Sequence, residues 1–151
     1  MQATFFSPHR LWALLAFICA GLFSASLVLT ELYDLHPCHL CLFQRLLYLL
    51  LALVGFAAWG LTARGLGRLS GFLALALAAG GLAVAAYQSW LQWQPPGSIS
   101  CIGGTSGLIE RLVEALGQWL PELFLATGFC EEAEMTIMGL TLANWSALGF
   151  A

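Results

Sequence analysis

Lysine is absent from this chain, and charged residues of any kind are scarce. Only 9% of its 151 residues are charged, whereas 60% are hydrophobic. A soluble domain carries about 25% charged residues, so this composition cannot build a polar surface around a core. The net charge of -3 also excludes the basic surface that nucleic-acid binding requires. The composition therefore predicts one small integral membrane domain whose main solvent is the lipid bilayer.

Three apolar runs, at residues 11–30, 42–61 and 70–90, approach the length of about 20 residues that spans a bilayer. They predict an all-α fold with three spanning helices. Arg10 ahead of the first run and the small residues at 24–26 also fit a cleaved secretory signal. The apolar character continues through Leu29, which is longer than a signal core, so a retained helix is favoured.

The arginines orient these runs in the membrane. Arg10 precedes the first run, and Arg64 and Arg68 lie between the second and third, so all three fall on one side. The positive-inside rule places that side in the cytoplasm. The segments at residues 31–41 and 91–143 then face outward, which in a bacterium is the periplasm, where disulfides persist.

The long outer segment contains an amphipathic element between Leu108 and Leu120. Its apolar residues recur with a helical period, charged residues occupy the opposite face, and Pro121 ends the pattern. The element is too short and too charged to span a bilayer. Two positions remain open for it: flat in the membrane interface, or packed on the protein as an ordinary amphipathic helix.

The most informative feature is the motif Cys38-His39-Leu40-Cys41, which directly precedes the second apolar run. Two cysteines at this spacing can close a small disulfide ring. Cys41 falls near the first turn of a helix, where unpaired N–H groups and the helix dipole favour a thiolate.

Arg45 follows Cys41 by four positions, on the same face of the helix. An isolated arginine here would extend toward the lipid headgroups. Because a charge this close to the hydrocarbon is costly, its spacing from Cys41 favours a functional role. We expect Arg45 to stabilise a thiolate, or an anionic cofactor oxygen, beside Cys41.

Cys101 and Cys130 flank the amphipathic element, and both lie on the outer side. A bond between them can be a structural disulfide, worth about 3–4 kcal/mol in the chain-entropy model. It can also be a second exchangeable disulfide that receives oxidising equivalents from the first pair. Cys19 lies in the middle of the first apolar run, where a thiol acts as a small hydrophobe, and we assign it no role.

Other kinds of site use the same residue types. His36, Cys38, His39 and Cys41 contain the ligand types of a zinc site, although ligands so close in sequence strain a tetrahedral geometry. Covalent haem attachment needs histidine directly after the second cysteine, and Leu42 stands there instead. The main rival to an enzyme is a non-catalytic membrane protein with two structural disulfides.

The Pro-Cys-His-Leu-Cys motif at residues 37–41, Arg45 four residues on, and Cys101 with Cys130 in a long outer loop resemble the DsbB family, the bacterial disulfide bond formation proteins B. The resemblance covers nearly the whole chain. It implies an integral membrane four-helix bundle of the inner membrane, with both termini in the cytoplasm. The fourth helix would start near Asn144, so we expect it to be truncated at Ala151.

The resemblance also implies a function. The family reoxidises a thioredoxin-like periplasmic partner that resembles DsbA, and the DsbA–DsbB–quinone route is the known means of keeping the periplasm oxidising. Cys101 and Cys130 would oxidise that partner, with Cys101 as the site of the mixed disulfide. Cys38 and Cys41 would be reoxidised by ubiquinone or menaquinone, with Cys41 next to the quinone and Arg45 supporting it.

Two positions depart from the family's usual pattern. Gln44 stands where relatives often have glutamate, and Gln88 stands where some relatives have a histidine linked to the quinone. Gln88 can donate a hydrogen bond but cannot exchange a proton near neutral pH.

Overall fold

The computed structural model describes residues 7–61, 67–95, 107–130 and 135–151. Within these ranges the chain forms six helices and one two-stranded sheet. In chain order they are α1 (Pro8–Tyr33), α2 (His39–Leu61), α3 (Gly67–Leu91), α4 (Leu108–Trp119), α5 (Pro121–Phe124), β1 (Thr136–Ile137), β2 (Leu140–Thr141) and α6 (Leu142–Phe150).

Helices α1, α2 and α3 are long and apolar enough to cross a membrane, and α6 adds a fourth helical region. The predicted all-α membrane bundle is therefore confirmed. Helix α1 extends beyond the predicted 11–30 at both ends. Pro8 is tolerated in the first turn because its missing N–H has no intrahelical partner there. At the other end Asp34 adopts a left-handed conformation, with φ 48°, and caps the helix.

Helix α2 is the centre of the bundle. It packs against α1, α3 and α4, and α3 in turn packs against α6. Half of the apolar window of α2 is buried inside the protein, compared with 11% for α1 and 17% for α3. The apolar residues that α1 and α3 leave exposed, among them Phe17 and Phe72, suit a lipid environment.

One core cluster joins these helices. Cys19 packs with Leu47, Tyr48 and Phe150, and the rings of Tyr48 and Phe150 stack with centroids 4.2 Å apart. Cys19 is only 4% exposed, so it fills the core as a small hydrophobe.

The amphipathic element forms helix α4. Val113 is fully buried and packs against Leu42 of α2 and Phe124 of α5. Leu108 and Trp119, by contrast, are 87% and 84% exposed. Helix α4 therefore packs on the protein through one face and leaves apolar side chains outside that contact.

Helix α6 is preceded by a short hairpin that sequence patterns did not predict. Strands β1 and β2 pair antiparallel, and both residues of the turn, Met138 and Gly139, have positive φ angles of 54° and 81°. A two-residue turn with these angles matches the right-handed twist of the strands on either side of it. The Thr141 side chain then accepts a hydrogen bond from the Asn144 N–H and caps α6, which begins at Leu142.

Candidate functional site

The Cys-x-x-Cys motif lies where three helices meet. Helix α2 begins at His39, so Cys38 directly precedes it and Cys41 falls in its first turn. The Sγ atoms of these two cysteines lie 3.4 Å apart as hydrogen-bonded thiols. Cys38 is 2% exposed, whereas Cys41 is partly exposed, and both residues line a cavity. The pair can therefore close into a disulfide at the edge of that cavity.

Two glutamines orient a donor toward these sulfurs. Gln44 Nε2 of α2 donates to Gln88 Oε1 of α3 over 2.8 Å, which turns the Gln88 amide nitrogen toward the cysteines. Gln88 Nε2 then lies 2.9 Å from Cys41 Sγ and 3.6 Å from Cys38 Sγ. Both glutamines are buried, at 4% and 2% exposure. A donor held this way stabilises negative charge on Cys41 more than on Cys38.

Cys130 lies against Cys38. The two side chains share a buried cluster with Leu40 and Leu91. A hydrogen bond to Cys130, then one to Cys41, and burial together raise the pKa of the Cys38 thiol far above its ordinary value. In the reduced state these contacts favour the neutral thiol of Cys38 over its thiolate. The structure brings the sulfurs of Cys38, Cys41 and Cys130 into one group.

Arg45 is 6% exposed and bonded on several sides. Its Nε donates to Ser26 Oγ over 3.1 Å and its Nη2 to Thr30 Oγ1 over 2.8 Å, both on α1. Its Nη2 also donates to the Ser26 carbonyl over 3.2 Å. Its Nη1 donates to the carbonyl of Leu123 in α5 over 3.1 Å. Among the described residues, these bonds use all but one of the guanidinium donors. Arg45 thus joins α1, α2 and the outer segment.

A cavity of about 260 Å³ opens beside these groups. Its lining is mostly apolar, with a few polar side chains that include Cys41, Arg45, Gln88 and Gln92. Gln92 Oε1 is buried and has no hydrogen-bond partner among the described residues. An unpaired buried acceptor is costly, so a ligand with a donor group would satisfy it. An apolar cavity with few convergent polar groups is typical of a small-molecule site.

Comparisons with known proteins agree with this arrangement. The model of the family "Disulfide bond formation protein DsbB" matches residues 8–151. A disulfide bond formation protein B from Dechloromonas aromatica is 44% identical over 146 residues, covering 95% of this chain and 87% of that protein. One from Polaromonas naphthalenivorans is 40% identical over 146 residues, covering 96% and 86%. The chain belongs to the DsbB family. It is a membrane protein of disulfide bond formation, and the resemblance inferred from its sequence is confirmed.

Most of the residues singled out in this DsbB-family sequence meet at one site. Cys38, Cys41, Arg45 and Cys130 all lie around the start of α2. Cys101 lies outside the described residues. His39, a ligand in the zinc alternative, instead has its Nε2 atom 3.9 Å from Glu114 Oε1 of α4.

Sequence reasoning missed the polar residues that complete the site. Ser26 and Thr30 sit four apart in the first apolar run, on one face of α1, and that spacing was a usable signal. Gln92 was not singled out from the sequence. Its position in the cavity depends on the packing of α3 against its neighbours, which the sequence does not display.

Proposed function

We propose that this protein is a membrane thiol–disulfide oxidoreductase that reoxidises a thioredoxin-like, DsbA-type dithiol oxidase and passes the electrons to quinone. The observation that carries the proposal is the grouping of Cys38, Cys41 and Cys130 at one edge of an apolar cavity that Arg45 also lines. Disulfide exchange needs sulfurs in contact, and quinone reduction needs a thiol beside the quinone.

The geometry supports a direction for the exchange step. With Cys38 and Cys41 as a disulfide, the thiolate of Cys130 attacks Cys38 Sγ, which is its neighbour. The Cys130–Cys38 bond forms, the Cys38–Cys41 bond breaks, and Cys41 leaves as a thiolate. Gln88 Nε2 donates to Cys41, so Cys41 is the better leaving group. No net electrons are gained or lost in this step, because one disulfide replaces another.

The cavity residues fit a quinone head group. Arg45 has one donor left for a ring oxygen, Gln92 Oε1 would accept from a hydroxyl of the reduced quinol, and apolar side chains such as Leu22 and Leu142 surround the space. A bound quinone supplies an acceptor for two electrons and two protons. Arg45 and Gln88 cannot supply those protons near neutral pH, so the protons come from the thiols themselves or from water.

The partner's dithiol is oxidised by the outer pair, Cys101 and Cys130. Partner attack at Cys101 gives a mixed disulfide and releases Cys130 as the thiolate that reaches Cys38. Electrons therefore run from the partner to the outer pair, then to Cys38 and Cys41, and then to ubiquinone or menaquinone. The contact of Cys130 with Cys38 supports this order.

We place the site on the periplasmic side of a bacterial inner membrane, in a single membrane domain. Trp59 near the end of α2 donates to His9 at the start of α1, whereas the first turns of α2 contact the ends of α1 and α3. Helix α2 therefore runs antiparallel to both α1 and α3. Arg10 and Arg68 lie at the end of the bundle opposite the cysteines. The positive-inside rule assigns that end to the cytoplasm.

Anaerobic turnover in lipid nanodiscs tests the proposal. Reduced thioredoxin-like oxidase and a soluble quinone analogue are added, and quinone absorbance is followed. We expect the wild-type protein to reduce the quinone and Cys38→Ala to fall to the uncatalysed background, with Cys19→Ala as the matched control that keeps turnover. Unchanged quinone absorbance with intact wild-type protein would contradict the proposal. If Cys38→Ala lost only protein abundance, the non-catalytic alternative with structural disulfides would be supported.

A further inference from the structure

The segment that carries Cys130 is fastened to the chain just ahead of the Cys-x-x-Cys motif by its backbone. The N–H groups of Thr127 and Gly128 both donate to the carbonyl of Pro37, over 3.1 and 3.4 Å. Pro37 is the residue before Cys38, and Gly128 is two residues before Cys130. The hydrogen bonds therefore fix the spacing of the two cysteines through the main chain, independently of side-chain packing.

Gly128 is required at this contact because of space. A Cβ atom at position 128 would overlap the backbone carbonyl oxygen of His36 and lie 2.8 Å from its carbonyl carbon. Gly128 is not among the positive-φ residues, so its backbone conformation is open to other amino acids. A backbone carbonyl cannot swing away as the end of a flexible side chain does. Any side chain at position 128 therefore pushes the two segments apart.

We propose that Gly128 and the Pro37 carbonyl form a backbone clamp that positions Cys130 on Cys38, which makes Gly128 a positioning residue for disulfide exchange. The inference rests on the proposed function. Both sulfurs are buried, each residue being 2% exposed, so the clamp also keeps the exchange partners away from water and foreign thiols.

The clamp is separable from the rest of the fold. The same segment is also held at its other end, where Arg45 Nη1 donates to the Leu123 carbonyl and Phe124 is 2% exposed. A change at Gly128 therefore displaces Cys130 locally and leaves α4 and α5 in place. Gly107 in the same outer segment offers a matched control, because a Cβ there meets nothing within 4 Å.

Disulfide trapping tests the placement without any quinone. In full-length protein carrying Cys41→Ser and Cys101→Ser, Cys38 and Cys130 are joined with diamide, and the product is quantified by peptide mass spectrometry. We expect Gly128→Ala to slow the Cys38–Cys130 bond by about tenfold or more, since misplacement by about 1 Å is costly for a reaction between positioned groups. Gly107→Ala keeps the original rate. Equal rates for the two variants would overturn the clamp.

A second variant covers the case in which Gly128→Ala accumulates poorly. Thr127→Pro removes the N–H that donates to Pro37. We expect it to slow trapping in the same direction. Trapping at the original rate with Thr127→Pro would equally contradict the clamp.

Turnover separates positioning from general damage. With the other cysteines restored, Gly128→Ala is expected to lower kcat with the reduced partner by about tenfold, while Gly107→Ala keeps the wild-type kcat. A wild-type kcat for Gly128→Ala would count against the clamp. If the wild-type protein reduced no quinone, the proposed function would fail while trapping still decided the clamp.

Discussion

Two regions of the site hold their cysteines by different means. Cys41 sits on a regular helix, and side chains determine its surroundings: Gln88 contacts the sulfur and Gln44 orients Gln88. Cys130 sits in an irregular segment whose backbone is bonded to Pro37. Side-chain contacts adjust the reactivity of a sulfur, whereas backbone contacts determine where a sulfur lies. Substitutions in the first region should therefore change chemistry, and those in the second should change geometry.

Arg45 lies on the same helix as Cys41 and donates to Leu123 in the segment that leads to Cys130, so its loss tests whether the two regions are separate. We expect Arg45→Ala to raise the KM for quinone by about tenfold or more, since hydrogen bonds from a charged group contribute about 1.5–3 kcal/mol each. The partner-driven exchange step should suffer less, because the Pro37 contacts remain. Steady-state kinetics with each substrate varied in turn measures both effects.

An exposed arginine at the opposite end of the bundle supplies the control. Arg68→Ala in the first turn of α3 should leave the KM for quinone and the rate of the partner-driven exchange step unchanged. If Arg45→Ala impaired partner oxidation and quinone reduction equally, the two regions would act as one unit.

The two glutamines should differ in effect according to their distance from the sulfur. In a Cys38→Ala background, we expect Gln88→Leu to slow alkylation of Cys41 at neutral pH by about tenfold, because a hydrogen bond to a charged group contributes about 1.5–3 kcal/mol. Gln44→Leu should slow it less, since Gln44 acts only by orienting Gln88. Iodoacetamide labelling followed by mass spectrometry gives the rates.

Gln94→Leu is the matched control, because Gln94 lies in the turn after α3 and donates to neither cysteine in the described contacts. If Gln44→Leu slowed labelling more than Gln88→Leu, the direct contact of Gln88 with the thiolate would be the wrong explanation.

The smallest effect concerns the pH dependence of Cys38. Its pKa is raised chiefly by the hydrogen bond to Cys130, so the reduced thiol reacts slowly at neutral pH and faster as pH rises. Cys130→Ala removes the main cause, and the curve of Cys38 alkylation rate against pH should move to lower pH by a readily measured interval. Cys19→Ala should not move it. A curve that stayed in place would mean that the hydrogen bond to Cys41 and burial, and not Cys130, set the pKa of Cys38.

Local spacing predicted more of this molecule than any other property of its sequence. The apolar runs located the long helices, and the interval from Cys41 to Arg45 placed both side chains on the wall of one cavity. Helix ends were less predictable, because α1 continues through polar residues to a left-handed Asp34 that hydropathy does not register. The hairpin before α6 depends on two positive φ angles and was likewise missed.

Contacts between distant parts of the chain could not be predicted from the sequence. Gln88 lies 47 positions from Cys41 in the chain. Thr127 donates to the backbone carbonyl of Pro37, and because every residue has such a carbonyl, the sequence does not mark this one as the acceptor. The bonds from Arg45 run to α1 and α5 and not to Cys41. That choice is set by how the helices pack, which a single sequence does not display.

The central position of α2 has a consequence for how this family can vary. Within its first three turns, that one helix faces α4 through Leu42, α3 through Gln44, α1 through Arg45 and α6 through Tyr48. Most residues of α1 and α3 need only be apolar to satisfy lipid, so many replacements serve equally well there. Few replacements satisfy four neighbours at once. Substitutions among relatives should therefore accumulate in α1 and α3, and α2 should change slowest.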